Sequence, residues 1–213
     1  MNSQEVFRVI ERIAAESGRL EKQAIIDQHK EDPMFKAVLR FAYDPFMTYG
    51  IATVPTNLGE LGGTDCFSPA TFEGLQDLAA RRLTGTMARN WLQAALRNLN
   101  EESRELLMRI IKKDLRAGIT ANTINKVIPN LIPTFDCMLA HPFAERMVTN
   151  WPIVVEPKLD GVRVLAFVTE GGSVRFFSRS GREFTTFEHL KAPLAGLAIR
   201  ASGKGNAAEW VFD

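Results

Sequence analysis

The hydrophobic period of these 213 residues changes once, near Pro133. Ahead of that point apolar side chains recur at helical spacing. Behind it they fall into short β-rich runs and alternations. A helical stripe and an alternating strand bury their apolar faces in different ways, so the change predicts two units. The expected domains are residues 1–130 and 131–213, with an all-α part first and an α+β or β-rich part second. No repeated βαβ pattern is visible, which disfavours a doubly wound dinucleotide-binding sheet.

Start and stop signals divide the first part into helices. Val6, Phe7, Val9, Ile10, Ile13 and Ala14 form one stripe that ends near Gly18. Leu20, Ala24 and Ile25 form a second, before the break at Asp32-Pro33. Phe35, Val38, Leu39 and Phe41 continue helically to Asp44-Pro45. Residues 45–67 hold Pro45, Gly50, Pro55, Gly59, Gly62 and Gly63 and read as a long loop. Ser68-Pro69 starts another helix, with Ser at the N-cap and Pro at the first helical position. Thr84-Gly85-Thr86 then separates two helices. Asn100 opens a helix whose first turn carries Glu101 and Glu102. Its last turn is expected to carry Lys112, Lys113 and Arg116, before a stop at Gly118. Thr120 caps a short helix closed by Pro129. In the second part Val162–Val168 and Val174–Phe177 flank Gly171-Gly172, a hairpin signal. Ile153–Val155 and Trp210–Phe212 are further strand-like runs.

Charge is uneven. Residues 1–80 carry a net charge of −5 and residues 81–126 a net of +6, while the remainder is neutral and the whole chain stands at +1. The basic window coincides with the turns at 84–86 and 118–120. Each joins two helices through a glycine and a hydroxyl, with Arg81, Arg82, Arg89, Lys112, Lys113, Arg116 and Lys126 close by in sequence. Helix starts present unpaired N–H groups, and Lys and Arg neutralise phosphates without reading bases. The pattern fits sequence-independent contact with a DNA backbone. It fits equally well two helix hairpins with solvated basic faces. No apolar run reaches the roughly 20 residues of a membrane span, and residues 1–5 lack the basic and apolar regions of a secretory signal. Cys66 and Cys137 are 71 positions apart and the three histidines are scattered, so no metal site is expected.

The sharpest motif is Glu156-Pro157-Lys158-Leu159-Asp160-Gly161-Val162-Arg163. It puts an amine at a strand end beside a carboxylate and a guanidinium. A lysine attacks only when deprotonated, and desolvation or neighbouring cations bring that about. Ser178-Arg179-Ser180-Gly181-Arg182 adds two guanidiniums at the end of a paired strand. Such a set suits a nucleotide phosphate better than a neutral metabolite. On spacing alone it is also an ordinary hairpin with a surface Lys–Asp pair.

Lys-x-Asp-Gly-x-Arg, from Lys158 to Arg163, resembles the signature of the covalent nucleotidyltransferases: ATP-dependent DNA ligases, RNA ligases and capping enzymes. Phe177-Ser178-Arg179 with Gly181 resembles the second motif of the DNA ligases at their spacing. Trp210-Val211-Phe212-Asp213 resembles the start of the third. Arg82-Leu83-Thr84-Gly85, Lys113 to Gly118 and Asn125 to Pro129 resemble the helical domain of ATP-dependent DNA ligases. The T-even bacteriophage type is the nearest pattern, including Met138-Leu139-Ala140.

The resemblance implies a multidomain chain: an all-α N-terminal DNA-binding domain, then the first part of an α+β nucleotidyltransferase (adenylation) domain. It implies that Lys158 takes AMP from ATP, that Glu156 recognises adenine, and that Arg163 and Arg179 contact ribose and phosphates. Asp160 would orient the reacting groups and Arg182 would support them. The implied DNA-binding residues are Thr84, Gly85, Lys112, Lys113, Arg116, Gly118, Thr120 and Lys126. ATP with Mg2+ and nicked double-stranded DNA are the expected cofactors and partners. The expected state is a cytoplasmic monomer, serving DNA replication, repair and recombination in a bacterial or phage-infected cell. Because the third motif breaks off at Asp213, the chain is expected to be an incomplete ligase, inactive alone. Alternatives are a non-catalytic DNA-binding fragment, or an RNA ligase or capping-type nucleotidyltransferase.

Overall fold

A computed structural model describes residues 1–51, 62–134, 161–169, 172–178, 181–201 and 209–212, together with residues 144, 146, 150 and 152. The chain divides into two compact units, Met1–Thr134 and Phe135–Asp213.

The first unit contains seven described helices: α1 (Ser3–Ala15), α2 (Arg19–Gln28), α3 (Pro33–Tyr43), α4 (Pro69–Ala79), α5 (Gly85–Asn98), α6 (Glu101–Ile111) and α7 (Ala121–Val127). Their starts follow local chemistry. Asn2 and Glu5 form a reciprocal capping box on α1. Asp32 accepts the Phe35 amide and precedes Pro33 on α3. Asn100 accepts the Ser103 amide on α6, and Thr120 accepts the Thr123 amide on α7. Val6, Ile10 and Ile13 of α1 are fully buried with Leu106, Leu107 and Ile110 of α6 in one core. α1 packs on α2, α3 and α6, and α2 packs on α7. Ser3 brings a polar bond into this core. Its hydroxyl bonds Ser103 Oγ at 2.7 Å and accepts the Phe67 amide at 2.8 Å, satisfying all three groups.

The unit reaches past residue 130 for a specific reason. Asn125 of α7 donates to the Ile132 carbonyl at 2.8 Å and accepts the Ile132 amide at 2.9 Å. That clamp seats Ile132, 1% exposed, in the helical core.

Helix α6 differs from expectation. It ends at Ile111, not near Gly118, because Lys113 takes a left-handed φ of +60°. The Lys113 amide then bonds Ile110 O and the Asp114 amide bonds Arg109 O, which closes a Schellman turn. Helix α4 ends in the same way with Arg81 at φ +61°, through Arg81 N to Leu78 O and Arg82 N to Asp77 O. Glycine usually holds this position; here a basic side chain does, twice.

The second unit holds β1 (Val164–Val168), β2 (Val174–Ser178), β3 (Glu183–Phe184), α8 (Glu188–Ala201) and β4 (Glu209–Phe212). All pairings are antiparallel, in the order β3-β2-β1-β4. Thr169, Gly172 and Ser173 lie between the strands of the expected β1–β2 hairpin, with Gly172 at φ +76° and Thr169 N bonded to Ser173 O. Alternation sends Ala166, Val168, Val174 and Phe176 into a small core with Phe184, Phe187, Leu194 and Ala195. The expected strand at 153–155 lies outside the described residues.

Candidate nucleic-acid interface

The two basic turns of the helical unit rest on one short segment. Lys113 Nζ donates to Phe41 O at 3.0 Å and to Asp44 O at 2.7 Å, and lies 5.6 Å from the Tyr49 ring centre. Tyr49 donates to the same Phe41 carbonyl at 2.6 Å. Together they bond the Phe41 carbonyl in the last turn of α3 and that of its C-cap, Asp44, where a cation also meets the negative end of the helix dipole. Arg81 reaches the same stretch from the other turn. A Cβ on Gly50, whose φ is +66°, would stand 2.0 Å from Arg81 Nη1. Residues 41–50 therefore underlie both turns.

Two further ties hold the turn after α6. Arg109, 9% exposed, bonds Glu105 at 2.9 Å, Glu11, and the Leu115 carbonyl at 3.2 Å, with its guanidinium 5.0 Å from the Phe7 ring centre. Lys22 of α2 donates to Ala117 O at 2.7 Å and to Gly118 O at 3.4 Å. The backbone between them is tightly folded, with Arg116 at φ +55° and Gly118 at φ +60°.

Exposed groups surround this frame. Lys112, Arg116, Gly118, Thr120 and Lys126 are exposed, as are Thr84, Gly85 and Arg89 at the other turn. Thr84 makes no side-chain capping bond, and the space over Gly85, at φ +54°, is open. Arg82 pairs with Asp77 at 2.6 Å, and Arg116 lies 3.8 Å from Glu105. Beside Thr120 an open cleft of about 720 Å³ is lined by Arg19, Thr120, Asn122, Thr123, Asn125, Lys126 and Thr134.

In the second unit Val164 stands opposite Ser178 in the β1–β2 ladder. Arg163, half-buried and immediately before β1, therefore comes at the same sheet end as the turn that follows β2. That turn is closed by Gly181 at φ +80°, by Ser178 N to Arg182 O at 2.7 Å and by Arg182 N to Ser178 Oγ at 3.0 Å. Arg182 is exposed. Glu156, Lys158, Asp160 and Arg179 lie outside the described residues. Among the described residues no three His, Cys, Asp or Glu side chains gather as a metal cage, and no described helix is long and apolar enough to cross a membrane.

No protein-family model matches the chain. It is 31% identical over 209 residues to the DNA ligase of enterobacteria phage T4, and equally to that of phage T6, alignments that cover 92% of this chain. The solved structures named Pmar-Lig_PreS3 and Pmar-Lig_Pre. each superpose with a TM-score of 0.75 over 92% of this chain, at 29% and 30% identity. The chain is a relative of the T-even phage DNA ligases. It spans 42% of the length of those ligases and 47% and 46% of the two solved chains.

For a relative of DNA ligases, the expected interface residues sort by what they already touch. Thr84, Gly85, Lys112, Arg116, Gly118, Thr120 and Lys126 are all open to solvent. Lys113 differs from these: it is half-buried, and its ammonium is bonded to the Phe41 and Asp44 carbonyls. Burial pushes its pKa down to about 8, against the opposing pull of Asp44. Arg19 and Lys22 adjoin these turns from about 100 residues away, and neither carries a local signal that places it there.

Lys113 yields a pH prediction. Its folded pKa lies below its unfolded value of 10.5, so the unfolded chain binds more protons between about pH 8 and 10.5. Stability from this group is therefore lowest below pH 8 and rises with pH through that window. Chemical denaturation should show wild type gaining on Lys113→Met between pH 7.5 and about 9.5. A constant difference across that range would remove the buried-lysine account.

Proposed function

We propose that this chain belongs to an ATP-dependent DNA ligase, with a helical unit that grips the duplex and a second unit that accepts AMP. The observation that carries the proposal is the Lys158-x-Asp160-Gly161-x-Arg163 motif within a chain 31% identical to phage DNA ligases. Lys158 Nζ attacks the α-phosphorus of ATP; the new P–N bond forms as the P–O bond to pyrophosphate breaks. The 5′-phosphate of a nick then takes AMP from the lysine. Finally the 3′-hydroxyl attacks that 5′-phosphate, closing the strand and releasing AMP. Phosphoryl transfer of this kind depends on positioning and on neutralising charge. Glu156 would read adenine, Arg163, Arg179 and Arg182 would bind phosphate oxygens, and Asp160 would orient the amine. ATP arrives as its magnesium complex, whose metal offsets the triphosphate charge.

The helical unit would hold the duplex through phosphates rather than bases. Lys112, Arg116 and Lys126 supply the charge, and the glycines at 85 and 118 let the backbone approach closely. Replacing those three cations by Gln should weaken binding to nicked duplexes of unrelated sequence equally. It should also flatten the salt dependence by about 0.9 log unit per lost phosphate contact. Intact-mass analysis after incubation with ATP and magnesium tests the nucleotide half, since bound AMP adds a resolvable mass. Unchanged DNA affinity in the triple variant would overturn the interface; AMP found on a lysine other than Lys158 would overturn the chemistry.

A further inference from the structure

We infer that the cleft between α2 and α7 is a third contact for the duplex backbone, with Arg19 its principal cation. The inference rests on the DNA-gripping role proposed for the helical unit and adds an element, α2, that the basic window at 81–126 does not contain. The two helices pack on each other. Among the described residues the cleft is lined by two cations, Arg19 and Lys126, by Thr120, Thr123 and Thr134, and by Asn122 and Asn125, with no carboxylate. Its position is built. Asn125 spends both side-chain groups on Ile132, which sets one wall. Lys22, three residues beyond Arg19 on α2, spends its ammonium on the Ala117 and Gly118 carbonyls, fixing α2 against the turn that leads to Thr120.

Arg19 is the first residue of α2, and the first-turn carboxylate of Glu21, folded back over Gly18, already meets the positive end of that helix. The exposed Arg19 guanidinium instead lines a cleft with a second cation, Lys126. An anion between the two would relieve their mutual repulsion. The occupant with this chemistry is a phosphodiester. The cleft is an open trough continuous with exposed Thr120 and Lys126 of the proposed interface, which suits a passing strand rather than an enclosed small ligand.

The test uses the whole 213-residue chain and a nicked duplex carrying a 5′-phosphate, titrated at several salt concentrations. Arg19→Gln should bind several-fold more weakly, with the salt slope reduced by about 0.9. Arg19→Glu should bind more weakly still. Arg19→Lys should restore most of the affinity and the slope, since backbone contact needs charge rather than a fork. Equal thermal midpoints for wild type and Arg19→Gln, with the altered slope, would separate contact from folding. Arg19→Gln with wild-type affinity and slope would overturn the cleft while leaving the DNA-gripping role intact. Wild type that fails to bind duplex would overturn both. Displacement of DNA by ATP from wild type but not from Arg19→Gln would make the cleft a nucleotide site, overturning the duplex assignment.

Discussion

Lys158→Ala, in a ligase containing this chain, is expected to lose transfer of AMP from labelled ATP by on the order of 10⁴-fold or more, the scale seen when a covalent nucleophile is removed. Binding to nicked duplex should change little, because the proposed DNA contacts belong to the helical unit. Lys158→Arg should be equally inactive, since a guanidinium keeps its proton and cannot attack phosphorus. Arg163→Ala provides the contrast. Losing one preorganised charge contact costs about 10²–10³ in rate, so labelled enzyme should still accumulate slowly. Label retained by Lys158→Ala at the level of Arg163→Ala would show that another side chain is the nucleophile.

Arg109→Met is expected to cost the helical unit about 3 kcal/mol, the largest single-residue effect of any charged group described there. The lost bonds run to Glu105, Glu11 and the Leu115 carbonyl. Glu11, with its side chain 47% exposed, can return to water, which keeps the cost below that of a fully buried pair. The Leu115 carbonyl cannot, since Leu115 is fully buried. A drop of roughly 10 °C in the unfolding midpoint follows for a unit of this size. DNA affinity should fall with it even below the midpoint, because the turn carrying Arg116 and Gly118 loses its inner anchor. A variant that unfolds within about 0.5 kcal/mol of wild type would show that the Glu11 and Glu105 charges, not Arg109, set the geometry of this turn.

Much of the local architecture was legible in the sequence. Asn100 and Thr120 act on amides within three residues, so their caps are readable from the sequence, whereas the capping box of Asn2 and the cap by Asp32 appear only in the structure. The β1–β2 hairpin was readable for the same reason: alternation and a glycine pair are local signals. The end of α6 was not. Lys112, Lys113 and Arg116 suit a last helical turn electrostatically, yet carbonyls at Phe41 and Asp44, some 70 residues away, hold Lys113 in a conformation that stops the helix early.

The candidate site divides along the same line. By itself the sequence set out the motif and the charge: a lysine beside Asp-Gly and an arginine resembles the signature of the covalent nucleotidyltransferases, and residues 81–126 carry a net charge of +6. Only the tertiary structure decided which cations stay open to solvent. Lys113 is consumed inside the fold, Arg109 is buried among carboxylates, and Arg19 joins Lys126 across a cleft. Charge is a property of the residue, but its availability depends on which distant carbonyls and carboxylates packing brings within about 3 Å.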